Sequence, residues 1–184
     1  MTDMPFPKIK GSETEKNLNF ALGGESRAYV KYLFYSARAK KDGLIDLANV
    51  YGETAANEKE HAELWFRYLG GFGSTEENLK DSAEGEHYEW SSMYSDFAKV
   101  ARNEGFDEIA SLFERIGSVE KRHEERYTKY ISEVSGKKMF VSDSAETYWV
   151  CLNCGFILQA KDAPQTCPAC FHPQGYFKKY NENC

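Results

Sequence analysis

A chain of 184 residues, 41% hydrophobic and 28% charged, has room for one well-packed globular domain plus a small module. Its net charge of −6 argues against nucleic acid as a partner, and no apolar run approaches the roughly 20 residues of a membrane span. The first eleven residues carry no apolar signal-type core. We therefore expect a cytoplasmic protein whose five cysteines are thiols or thiolate ligands rather than disulfides.

Residues 12 to 134 read as helix almost throughout. Ser12 with Glu15 forms a capping box that opens a first helix running to about Lys41, and Asp42-Gly43 is a turn signal. A second helix runs from about Asp46 to Leu69 and stops at Gly70-Gly71. A third starts between Ser74 and Ser82 and ends before Gly105. Asp107 is expected to cap a fourth that ends near Gly136. Residues 137–149 show no helical period and read as a linker or lone strand, and 150–184 is rich in Cys, Pro and aromatics.

Each helix carries an apolar stripe at spacings of three and four. The stripes are Leu18, Leu22, Glu25, Tyr29, Tyr32; Leu47, Tyr51, Thr54, Glu58, His61, Trp65; Leu79, Ala83, Glu86, Trp90, Met93, Phe97; and Ile109, Leu112, Ile116, Glu120, His123, Tyr127. A glutamate sits mid-way in every one. Ionised carboxylates in an apolar core repel one another and are costly unless cations neutralise them.

Two of these stripes contain Glu-x-x-His, at Glu58/His61 and Glu120/His123, which puts carboxylate and imidazole on one helix face. Each follows a lone glutamate at near-identical spacing, 33 residues from Glu25 and 34 from Glu86. One Glu plus one Glu-x-x-His from each half is the ligand inventory of a carboxylate-bridged di-metal site in a four-helix bundle. Carboxylates with imidazole suit iron or manganese, and zinc less so. Glu89, one turn from Glu86, has Ala28 as its counterpart in the first half, so one metal would gain an extra carboxylate. A lone E-x-x-H is more often a solvated helix face; it is the duplication that changes the weighing. His87 and His172 read as surface or local packing residues.

Near the C-terminus, Cys151-x-x-Cys154 and Cys167-x-x-Cys170 are two thiolate knuckles able to cage one metal tetrahedrally, either structural zinc or redox-active iron. Trp149, Phe156, Tyr176 and Phe177 are expected to pack around it, because so short a segment cannot build a core unaided. Cys184 is left over as a free thiol without a role.

With these residues in place, the chain resembles the rubrerythrin family. The stretches that carry the resemblance are Ala21-Leu-Gly-Gly-Glu25-Ser-Arg-Ala, Glu58-Lys-Glu-His61-Ala, Gly85-Glu86-His-Tyr-Glu89-Trp90 and Ala98-Lys-Val-Ala-Arg-Asn-Glu-Gly105-Phe. To these are added Trp149-Val-Cys-Leu-Asn-Cys-Gly-Phe156 and Cys167-Pro-Ala-Cys-Phe-His-Pro173. The resemblance implies a mainly α fold, a ferritin-like four-helix bundle over 1–136, then a linker over 137–149 and a rubredoxin-like module over 150–184. It implies a non-haem di-iron centre and one iron held by Cys151, Cys154, Cys167 and Cys170.

The implied activity is peroxidase: hydrogen peroxide is reduced to water, with electrons relayed through the thiolate iron from an NAD(P)H-linked reductase or small carrier. Glu58 and Glu120 would bridge the irons. Glu25 and Glu89, with His61 in reserve, would serve one iron, and Glu86 and His123 the other. Tyr32 and Tyr94 would donate hydrogen bonds to ligands or substrate, although either would also serve as an ordinary core tyrosine.

In a bundle whose second and third helices run parallel, the link between them must return along the bundle, and here it is short. Either the third helix starts near Ser82, or the helices are exchanged between chains in a domain-swapped homodimer, which we favour. A ferritin-like ferroxidase is the rival activity, although storage does not need an electron inlet. A colourless zinc-ribbon adaptor on a helical bundle is the rival without catalysis.

Overall fold

The computed structural model describes residues 9–144 and 146–180; Cys184 lies outside them. The chain is mostly helical with a small strand module at its C-terminal end, and it divides into two compact units, the first up to Gly73 and the second from Ser74. Among the described residues, no helix is long and apolar enough to cross a membrane.

The first unit is a helical hairpin of α1 (Glu13–Lys41) and α2 (Ile45–Tyr68). Ser12 accepts from the Glu15 N–H, as its capping signature predicts, while the Glu15 carboxylate takes the Gly11 N–H. Gly43, at φ 77°, makes the left-handed turn that ends α1. Small residues let the two helices approach. Ser36, Ala39, Ala48 and Ala55 are buried, and Ser36 Oγ donates across the pair to the Ala48 carbonyl at 2.7 Å. Phe34, Leu47 and Val50 stay exposed.

The second unit opens on a full capping box. Ser74 accepts from the Glu77 N–H and the Glu77 carboxylate accepts from the Ser74 N–H, so α3 (Thr75–Tyr88) starts at the early end of the expected range. The expected third helix is then interrupted by a π turn, Glu89–Met93, before continuing as α4 (Tyr94–Asn103). Its partner α5 (Asp107–Ser135) has Phe106 at the N-cap position, so Asp107 is the first helical residue and not the cap.

The π turn changes which residues face inward. An i→i+5 turn takes up one extra residue, so the inward stripe moves on by one. Beyond Trp90 it runs through Tyr94, Ala98 and Ala101 rather than Met93 and Phe97; Ala98 and Ala101 pack on Ala110 and Phe113 of α5, while Phe97 is exposed. On α5, Ile109, Leu112 and Ile116 are exposed too, and Gly117 is buried on the inner side.

Past Gly136 the chain enters the module. Strands β1 (Tyr148–Cys151), β2 (Ile157–Gln159) and β3 (Phe177–Lys179) form an antiparallel sheet in the order β2-β1-β3. Trp149, Cys151, Ala163, Cys167 and Phe177 are buried together, and Trp149 Nε1 donates to the Ala160 carbonyl at 3.0 Å. Phe140 packs on this cluster, whereas Phe156 and Tyr176, expected to help cover the cysteines, remain exposed.

Candidate metal centres

The two knuckles are near copies. Gly155 N–H donates to the Cys151 carbonyl at 2.8 Å, and Phe171 N–H donates to the Cys167 carbonyl at 2.9 Å. Both Gly155 (φ 76°) and Phe171 (φ 61°) are left-handed. The four Sγ atoms lie within 4.8 Å of one another, with Cys151–Cys170 at 3.7 Å and Cys154–Cys167 at 3.8 Å. Four sulfurs about 2.3 Å from a central metal stand about 3.8 Å apart along a tetrahedron's edges, so the cage fits a metal before any is added.

Without metal the cage holds its charge unevenly. The His172 backbone N–H stabilises the Cys170 thiolate, with help from the neighbouring Cys154 and Cys167 and from Asn153, and lowers its pKa to about 6. The Phe156 backbone N–H pulls Cys154 down, but sharing with Cys170, burial and the other two sulfurs push it up to about 12.

The helical ligand candidates gather as two clusters, each inside one hairpin. Glu25 of α1 meets Glu58 and His61 of α2, and Glu86 of α3 meets Glu120 and His123 of α5. His61 Nδ1 lies 3.1 Å from Glu58 Oε2; His123 Nδ1 lies 2.7 Å from Glu120 Oε2 and 3.7 Å from Glu86 Oε1. Two ligand atoms at right angles, each about 2.1 Å from one metal, stand about 3 Å apart, so these donors also fit. The clusters are unequal in exposure, the His61 side chain being 55% exposed and that of His123 36%.

Their electrostatics show the strain of collecting carboxylates. Glu25 is raised above the ordinary carboxylate value, chiefly because it hydrogen-bonds Glu58, and Glu58 is lowered by the same bond and by His61. Glu86 is raised by burial and by the charges of Glu120 and Glu89, against the opposing pull of His123. Trp65 Nε1, buried beside the Glu25–Glu58 pair, exerts a weaker lowering pull on Glu25.

Glu89 opens the π turn and stands outside the compact trio of Glu86, Glu120 and His123. Its charge nevertheless reaches both Glu86 and Tyr94. Eight residues of uninterrupted α-helix would put Tyr94 about 80° around from Glu86; the inserted residue brings it back to about 20°. Burial, with the charges of Glu89, Glu120 and Glu86, raises the Tyr94 phenol. Tyr32 packs among tyrosines, 6.1 Å from the ring of Tyr51 and 6.4 Å from that of Tyr35. Beside the π turn, Trp90, Tyr94, Lys99, Arg102, Gly117 and Lys121 help line an open cavity of about 440 Å³; none of the clustered carboxylates lines it.

Two family models match: "Rubrerythrin" over residues 16–131 and "Rubrerythrin, rubredoxin-like domain" over 149–178. The chain belongs to the rubrerythrin family. Rubrerythrin-1 of Clostridium acetobutylicum is 40% identical, covering 95% of this chain and 98% of its own. Rubrerythrin of Porphyromonas gingivalis is 44% identical over 95% and 94%, and that of Nitratidesulfovibrio vulgaris 39% over 92% and 95%. The cofactors are those of the family, a non-haem di-iron centre and one rubredoxin-type iron, and both donor sets are present. The family is one of oxidoreductases.

Sequence reasoning missed the π turn and, with it, Glu124, whose carboxylate accepts from Trp90 Nε1 and lies 3.1 Å from His87 Nδ1. The usable signal was the small pair Ala98 and Ala101. Both suit a helix contact, and they fall in register with Tyr94 rather than Met93.

Proposed function

We propose that this rubrerythrin-family protein is a cytoplasmic peroxidase that protects against oxidative stress. The overall reaction takes one hydrogen peroxide, two electrons and two protons to two waters. One observation carries the proposal: two carboxylate–imidazole clusters and a four-thiolate cage in a single chain. A cytoplasmic setting suits a cage that needs reduced thiols.

The ligand roles are those that the family resemblance implies. Glu58 and Glu120 would bridge the metals, Glu25 and Glu89 with His61 would hold one, and Glu86 and His123 would hold the other. When bound, the two irons supply Lewis acidity and one electron each to split the O–O bond. Tyr94, its phenol raised by burial and by the nearby carboxylates, donates a hydrogen bond towards ligands or substrate. Tyr32 is the matching hydrogen-bond donor from the first hairpin. Electrons from an NAD(P)H-linked reductase or a small carrier enter at the exposed Cys154 edge of the module. The working division is a di-iron part over 1–136 and the thiolate module; the module takes in 150–184 and, through Phe140, Tyr148 and Trp149, part of the stretch 137–149 expected as a linker.

We also propose a domain-swapped homodimer. Glu58 lies ten residues before the end of α2, and Glu86 eleven after the start of α3. Levelling them in a parallel bundle needs a return of about 32 Å at 1.5 Å per residue. The seven steps from Tyr68 to Thr75 reach at most about 25 Å. The hairpins of two chains then cover each other's exposed Phe34, Val50, Leu112 and Ile116 and complete each other's sites.

The test is steady-state turnover with an electron donor, with peroxide or oxygen as sole oxidant. Peroxide should be strongly preferred. Faster consumption of Fe(II) with oxygen, and no peroxide-dependent donor oxidation, would favour the ferroxidase reading.

A further inference from the structure

Glu124 of α5 has no part in the ligand set, yet its carboxylate, only 25% exposed, points at the π turn. One oxygen accepts from Trp90 Nε1 and the other lies 3.1 Å from His87 Nδ1. Trp90 is the second residue of the π turn and is gripped on several sides. The His87 ring stands edge-on to it at 5.3 Å, and Lys121 Nζ lies 5.2 Å from the indole centroid. Trp90 and Tyr94 also pack over Gly117, where an added Cβ would meet Tyr94 Cβ at 3.4 Å and Trp90 Cα at 3.9 Å, in ordinary contact.

A π turn has no intrinsic advantage over α-helix and persists where its surroundings over-determine it. If this one relaxed to α, the residues on its two sides would rotate by about 100° relative to each other. Ala98 and Ala101, packed on α5, hold the far side, so the displaced residues would be Glu86 and Glu89.

We propose that Glu124 is a positioning residue: through Trp90 it pins the π turn to α5 and so keeps Glu86, Glu89 and Tyr94 on one face. The inference rests on the di-metal reading above. Trp90→Phe keeps the ring and removes the donor. Glu124→Ala removes the acceptor. Glu124→Gln keeps an oxygen that can still accept from Trp90.

The test titrates Mn(II) into full-length protein freed of metal at the carboxylate site, with unbound Mn(II) read by electron paramagnetic resonance. Helix content is checked by circular dichroism. Wild type should take up two Mn(II). In Trp90→Phe and Glu124→Ala, one of the two should bind at least about tenfold more weakly, as expected when a ligand loses its orienting partner. Glu124→Gln should stay within about twofold of wild type. If Glu124→Ala loses its helix content, Trp90→Phe decides. Wild-type affinity in Trp90→Phe, or a loss in Glu124→Gln equal to that in Glu124→Ala, overturns the proposal. Uptake of fewer than two Mn(II) by wild type instead overturns the di-metal reading, and the inference with it.

Discussion

Glu25 and Glu58, on adjacent helices of the first hairpin, hydrogen-bond each other and titrate in opposite directions, Glu25 raised and Glu58 lowered. Without metal the neutral form of Glu25 is favoured beside the charged Glu58, and a bound cation would favour its ionised form instead.

A pH dependence follows. Raised carboxyls favour the metal-free fold below their ordinary value of 4.5, and that contribution is lost as pH rises through their folded values. Metal-free protein should therefore lose the contribution of Glu25 and Glu86 on going from pH 4.5 towards neutrality. Glu25→Gln should flatten this loss, and Mn(II) should reverse it with release of protons. Thermal melts across the range, with proton release followed in weak buffer, provide the check. A metal-free Glu25→Gln variant with the pH profile of wild type would contradict the assignment.

Glu120→Ala should cost at least about a hundredfold in peroxidase turnover, the upper end of what losing even an outer partner costs a metal site. Glu120 contacts His123 at 2.7 Å and sits beside Glu86, so its loss disarms the whole second cluster. Helix content should be retained. Undiminished turnover in the folded variant would sink the ligand assignment.

Swapping has a distinctive genetic signature. A chain carrying Glu58→Ala and one carrying Glu120→Ala should each be inactive alone. In a swapped mixed dimer, one site collects both lesions and the other collects none. Random co-assembly should then restore about a quarter of wild-type activity, since half the dimers are mixed and half their sites intact. Sites built within single chains would show no restoration.

Phe171 occupies the left-handed position that Gly155 fills in the other knuckle, and its side chain is 79% exposed. A bulky residue there is strained by about 1–2 kcal/mol. Phe171→Gly should stabilise the loaded module by about 1 kcal/mol, while Gly155→Ala should destabilise it by a similar amount. Denaturant titration with the thiolate absorption as readout distinguishes the two. A destabilised Phe171→Gly variant would show that the ring makes contacts worth more than the strain.

Most of this arrangement was legible in the sequence because it rests on periodicity and spacing. The stripes carrying Glu25, Glu58, Glu86 and Glu120 met as two clusters, and the knuckles closed as a cage. The register beyond Trp90 was only faintly legible, because a π turn changes hydrogen bonding without changing composition; Ala98 and Ala101 hinted at it, and packing against Gly117 and Ala110 reveals it. Asp107 resembled a cap but lies one residue inside α5, where its charge still suits the helix dipole. The start of α3 turned on the reciprocal Ser74–Glu77 bonds, one of several serine-led options between Ser74 and Ser82.

On the proposed reading, peroxide oxidises the helical iron centre, and the thiolate iron is coupled to it. Anaerobic protein should be red from ferric thiolate, bleach on reduction, and regain its colour on titration with hydrogen peroxide. Recovery should be complete near one and a half equivalents per chain, since three irons give about one electron each and peroxide takes two. A reduced protein that stays bleached through several equivalents would rule out peroxide as the oxidant of a coupled iron pair and thiolate iron.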